Sequence, residues 1–104
     1  MGKIRWSKTA QQNLEEIADY IAQDSPFYAI NFVEGILQDT EKLNNFPKIG
    51  RIVPEFKKES LREILFHNYR IVYKLDKDRI FIVSLCHGSI DIKRKAKSEN
   101  WEIE

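Results

Sequence analysis

In "GRIVPEFKKESLREILFHNYRIVY", residues 50–73, Arg62 and Arg70 each sit inside a strand-like run. Arginine is seldom buried without a partner, so either the pair lines a solvated sheet face or that face meets something negative. Arg51 opens the stretch, and Glu55, Glu59 and Glu63 lie along it. Arginines hold phosphate or carboxylate through forked hydrogen bonds, and the glutamates are available bases. His87 is the one credible neutral-pH proton carrier on the strand-like runs, since His67 falls in a turn. A base, an acid and cations are the parts that metal-independent acid–base chemistry on an anionic substrate needs. Each residue also has a plainer reading. Arg62 and Arg70 can bridge to Glu63, Glu55 or backbone carbonyls, bracing the loop 47–60 against the sheet. His87 can be a satisfied strand-end histidine.

Other chemistries lack their parts. Cys86 is the only cysteine, and with His67 and His87 alone it cannot build a zinc site of the usual Cys/His type. Gly2, Gly35, Gly50 and Gly88 are scattered, so no phosphate-cradling loop forms. No cofactor and no metal are expected. No apolar run reaches the roughly 18 residues of a membrane helix. The N-terminal "MGKIRWSKTA" has no apolar stretch of signal type, and Trp6 occupies the Ser/Thr position of a myristoylation pattern. A cytoplasmic location is the expectation. The net charge is +1, but residues 51–97 hold twelve Lys/Arg against six Asp/Glu, or +6. An anionic partner would therefore meet the C-terminal half. The whole chain is too balanced to bind nucleic acid by bulk charge alone.

The elements that would position these residues follow from periodicity. The 104 residues suit a single domain spanning 1–104, with a polar tail from about 93. "KIRW" is a short strand, with Trp6 read as core. Ser7 caps a helix whose Ala10, Leu14, Ile17 and Ile21 form one face. Ser25-Pro26 starts a second helix with an apolar stripe of Ala29, Phe32, Val33, Ile36, Leu37 and Leu43. "PKIGRIVPEFKKES" reads as loop. Strands follow over roughly 61–66, 69–75 and 79–87, rich in Ile, Val, Leu, Phe and Tyr, with His67-Asn68 and Asp76-Lys77-Asp78 as hairpin links. Lys93-Arg94-Lys95-Lys97 reads as a solvated charge run, while Ile90, Ile92, Trp101 and Ile103 give the tail some capacity to dock. The order β-α-α-β-β-β predicts a two-layer α+β domain, a helical hairpin packed on one face of a mainly antiparallel sheet. The other face is solvated or taken by a partner.

Side chains alternate along a strand, so the length of the first hairpin loop decides where the arginines point. A two-residue loop puts Arg62 and Arg70 on opposite faces. A three-residue loop joins them with Lys74 on one face and leaves Leu65, Ile71 and Tyr73 for the core. The second register is preferred, although it directs Glu63 toward the helices.

Together these features resemble the RelE/ParE superfamily of bacterial toxins, most of all the ParE branch, often called plasmid-stabilisation proteins. The resemblance rests on Trp6, Ala10 and Leu14 with Ile17 and Tyr20-Ile21, then Pro47, Gly50-Arg51, Val53-Pro54-Glu55, Leu61-Arg62-Glu63, Tyr69 to Tyr73 and His87-Gly88. It covers about residues 4–92. "GRIVPE", "LRE", "YRIVY" and "HG" are specific in that order and at those separations. The family frequently carries an arginine after the His-Gly pair, where Ser89 and Ile90 stand here. The resemblance implies a growth-inhibiting toxin of a type II module, neutralised by a cognate antitoxin encoded beside it. A ParE-like member would act without enzymatic chemistry by binding DNA gyrase. Arg51, Arg62, Arg70, Lys74 and Arg94 are the candidates for touching that target. A RelE-like member would cut mRNA on the ribosome, with His87, Arg62 and Arg70 as catalytic candidates. A third possibility is an inactive toxin fold kept as a binding module. Ribosome-binding members tend to be strongly basic, so the net charge favours the first reading.

Overall fold

The computed structural model describes residues 3–102. Strand β1 (Lys3–Trp6) leads into α1 (Lys8–Asp24) and α2 (Pro26–Glu41), with a short 3-10 turn over Lys42–Asn44. Then come β2 (Arg51–Ile52), β3 (Leu61–Phe66), β4 (Tyr69–Asp76), β5 (Arg79–His87) and α3 (Ile92–Ser98). The expected helix starts are in place. Ser7 Oγ accepts from the Ala10 N–H at 3.0 Å, and Ser25 Oγ accepts from the Tyr28 N–H at 3.2 Å with Pro26 as first helical residue.

The five strands run in the order β1-β5-β4-β3-β2. β1 pairs parallel with β5, and the other pairings are antiparallel. Where β1 ends, side chains take over the β5 edge. Ser7 Oγ donates to the Val83 carbonyl at 3.1 Å, and Asn13 Oδ1 accepts from the Leu85 N–H at 3.1 Å. These bonds answer backbone groups that would otherwise be buried unpaired.

Two apolar clusters hold the sheet from its two sides. On one side Ile71, Tyr73, Ile80, Ile82 and Leu85 meet Ala10, Ile36 and Leu43, with Trp6 packed against them. This is the predicted helical hairpin on the sheet. On the other side Val53, Leu61, Val72, Cys86 and Ile92 cluster, joined by Phe56, Val83 and Trp101. That second face was expected to be solvated or taken by a partner, with Ile92 and Trp101 among the tail residues able to dock. It is partly roofed by α3 and the loop after β2, because Ile92 and Ala96, four residues apart, bury one stripe of a helix in the stretch read as polar tail. Ile103 lies outside the described residues. The reading of 47–60 as loop also missed β2, whose two residues pair with Arg62 and Glu63.

Candidate functional site

The β3–β4 hairpin turns in two residues, with Phe66 opposite Tyr69 and Leu65 opposite Arg70. The preferred three-residue loop is therefore corrected, and the shared cationic face goes with it. His67 takes φ 54°, a left-handed conformation that lets two residues close the turn. Arg62 pairs with Tyr73 and shares the helix-side face, while Arg70 stands on the opposite face with Glu63 and Lys74. Leu65, assigned to the core, is 55% exposed.

Both arginines are already engaged. Arg62 Nε donates to the Glu59 carbonyl at 3.0 Å, and its Nη1 donates to the carbonyls of Gly50 at 2.9 Å and Lys48 at 3.4 Å. It holds the loop after α2 to β3. Arg70 Nε donates to Glu63 Oε1 at 2.6 Å, and its two terminal nitrogens grip both Glu55 oxygens at 3.0 and 2.8 Å. Arg51 Nε donates to the second Glu63 oxygen at 2.6 Å. The Glu63 carboxylate is fully buried and the Arg70 side chain is 9% exposed. Two cations thus balance two anions, and the network presents no net charge. The Arg70 fork holds the Glu55 carboxyl below its ordinary pKa, against the opposing effect of burial. The predicted carboxylate beside an arginine is found, as is the bracing of loop 47–60.

His87 lies elsewhere. It pairs with Tyr69 at the end of β5 and stacks edge-on against that ring at 5.3 Å. Its Nδ1 meets Ser89 Oγ at 2.8 Å. It is on the opposite sheet face from Arg70. It shares a face with Arg62, but Arg62 pairs four residues further along β4, about 13 Å at the usual rise per residue. The three catalytic candidates are not gathered in one place. Lys74 Nζ donates to the Glu102 carbonyl at 3.0 Å, and Arg94 is exposed on α3. Burial pushes the Cys86 thiol up, which leaves it a packing residue.

Two polar clusters escaped sequence reasoning. Tyr73 Oη donates to the Pro47 carbonyl at 2.7 Å and accepts from the Gly50 N–H at 3.0 Å. Glu99 collects Ser84 Oγ at 2.7 Å, Trp101 Nε1 at 2.9 Å, Lys95 Nζ at 2.9 Å and Asn13 Nδ2 at 3.2 Å. Burial raises the Glu99 carboxyl, but these bonds outweigh it and its pKa is lowered. One signal was present: Ser84 is the lone polar residue in "IFIVSLC".

A different surface lies open. Phe27, Ile30 and Leu37 repeat at helical spacing on one face of α2 and are 68%, 60% and 45% exposed. Tyr20 on α1 is exposed as well. The edge of β3 from Ile64 to Phe66 has no strand partner among the described residues.

The family described as ParE toxin of type II toxin-antitoxin system, parDE, matches residues 4–92. No curated protein matches. Among solved structures, a chain of the chromosomal ParDE system from P. aeruginosa is 19% identical. The match covers 84% of this chain and 96% of that one, with a TM-score of 0.70. A chain of the toxin–antitoxin complex RelBE2 from Mycobacterium tuberculosis is 17% identical, over 83% of this chain and 96% of that one, at a TM-score of 0.54. At such identities the likeness establishes a common fold.

Proposed function

This chain belongs to the ParE toxins of type II toxin–antitoxin systems, and we propose that it arrests bacterial growth by binding DNA gyrase rather than by cutting RNA. The observation that carries the reading is the fate of the arginines. Arg70 is consumed in a neutral ion network and Arg62 in carbonyl bonds. His87 sits apart from Arg70 on the other face. A phosphodiester-cleaving site needs base, acid and cation around one phosphate, so this arrangement speaks against catalysis, and the same bonds withdraw Arg62 and Arg70 as free contacts for a docking target. The antitoxin is the natural cover for the exposed face of α2, because an apolar helix stripe of this kind marks a protein interface. A partner strand would also complete the open β3 edge.

Induction in growing cells tests both parts. The DNA-damage response is expected to rise while primer extension finds transcripts uncut, and the antitoxin from the adjacent reading frame restores growth. Ile30→Glu combined with Leu37→Glu is expected to weaken antitoxin binding at least tenfold by titration calorimetry, with the unfolding midpoint nearly unchanged, because buried apolar anchors dominate such interfaces. Discrete codon-positioned cuts would reverse the mechanism. Undiminished antitoxin binding by the double variant would remove α2 from the interface.

A further inference from the structure

We propose that the groove between α3 and the loop after β2 binds the phosphate backbone of a single-stranded nucleic acid. The groove has a volume of about 590 Å³, with Phe56 and Trp101 in its lining beside Lys93, Arg94 and Lys97. All three cations are exposed, and none is in an ion pair among the described residues. Lys95, by contrast, is tied to Glu99. Asp91 is the one acidic residue of the lining, and its Oδ1 caps α3 by accepting from the Arg94 N–H at 3.2 Å, so three cations face one carboxylate. Lys57 and Lys58, next along the loop from Phe56, are exposed too.

The cations stand on a rigid base. Ile92 and Ala96 anchor α3 in the second core. Trp101 is fixed by its backbone N–H to the Ala96 carbonyl and by Nε1 to Glu99, both at 2.9 Å. Its ring lies 6.0 Å from that of Phe56, tilted by 48°, and both residues keep part of their surface exposed. Lys93 and Lys97 are one helical turn apart, so their side chains rise about 5–6 Å from each other on one face. A row of cations beside part-exposed aromatic rings is the pattern that grips successive phosphates and stacks bases without reading sequence. An acidic protein would satisfy the cations but gives the rings no such use. The inference is independent of the gyrase reading.

The test is fluorescence anisotropy with the purified full chain and labelled 20-nucleotide strands of DNA and RNA, beside duplex DNA. Single strands are expected to bind tighter than duplex, with log affinity falling against log salt at a slope of about −2, as three neutralised phosphates require. Lys93→Glu with Lys97→Glu is expected to lose at least tenfold in affinity and to flatten that slope, at an unchanged unfolding midpoint. Phe56→Leu is expected to weaken single-strand binding several-fold with the slope retained. Equal binding by the charge-reversed variant overturns the proposal. So does preference for duplex, which would remove the stacking. Displacement by poly-glutamate at equal charge would assign the groove to an acidic protein instead. Growth arrest is read separately, so either result leaves the toxin reading standing or falling by its own test.

Discussion

Glu63→Ala is expected to destabilise the protein by about 3–5 kcal/mol, the usual cost of breaking a buried ion pair from one side. Among the described residues Glu63 is the only carboxylate ion-paired with both Arg51 and Arg70, and no part of its side chain reaches water. Without it Arg70 keeps Glu55 alone and leaves its Nε–H buried and unpaired. Arg51, 55% exposed, can turn to solvent. The order of losses is therefore Glu63→Ala and Arg70→Ala together, well above Arg51→Ala. Urea unfolding at pH 7 measures all three. A Glu63→Ala loss under about 1 kcal/mol would mean that the network does not hold the fold. The double replacement Glu63→Leu with Arg70→Met is expected to recover most of the loss, since apolar residues of similar size can replace buried ion pairs at little cost. If the arginine is structural, toxicity survives in that double variant. Acid sensitivity has an expected direction too, from one carboxylate of this network and one of the separate cluster around Ser84. Glu55 and Glu99 have lowered pKa values in the folded state. Their contributions are present above the unfolded carboxylate value of about 4.5 and are lost as pH falls through the lower folded values.

Gly50→Ala is expected to cost about 3 kcal/mol and to lower Tm by on the order of 10–20 °C in a thermal melt. A Cβ there would stand 2.5 Å from the Glu63 carbonyl oxygen and 2.7 Å from the Tyr73 hydroxyl. Neither neighbour can yield. The carbonyl belongs to β3, and the phenol is pinned between Pro47 and Gly50 itself. Relief by moving Gly50 would break its bonds to Tyr73 and Arg62 together. Gly88→Ala is the control, because its Cβ would meet only the Asn68 carbonyl at 3.3 Å. Its loss is expected to be the smaller of the two. Equal melting of the Gly50 variant and the parent protein would show that the loop after α2 is not clamped as described.

What was legible in the sequence is what short-range chemistry encodes. Ser7 and Ser25-Pro26 announce their helices because a hydroxyl cap and a first-turn proline act within a few residues. The strands of "LREILF", "YRIVYKLD" and "RIFIVSLCH" announce themselves by composition. The faces of those strands were not legible. One residue in the hairpin loop reverses every side chain, and His67 gives no sign that it will adopt the left-handed conformation glycine usually supplies. Glu63 was the clue. The three-residue loop aimed it at the helices, whereas the actual register meets its charge with Arg70 across the hairpin and Arg51 from β2. β2 is too short for periodicity to speak, and the buried stripe of α3 is just Ile92 and Ala96 among cations. Arg62, Arg70, Lys74 and His87 were correctly placed on strands, whereas Arg51 was read in a loop and Arg94 in the tail, and whether the strand candidates gather depends on that register. This is why the arginines pass from a shared charged face to two separate structural clamps.

The most direct measurement is a plasmid assay with purified gyrase, ATP and this chain, run beside a translation mixture carrying a labelled message. Supercoiling is expected to be lost, or linear plasmid to accumulate, in proportion to the chain added, reversed by the antitoxin, with the message intact. Gyrase turning over undisturbed while the message is cut at codon positions would contradict the gyrase reading.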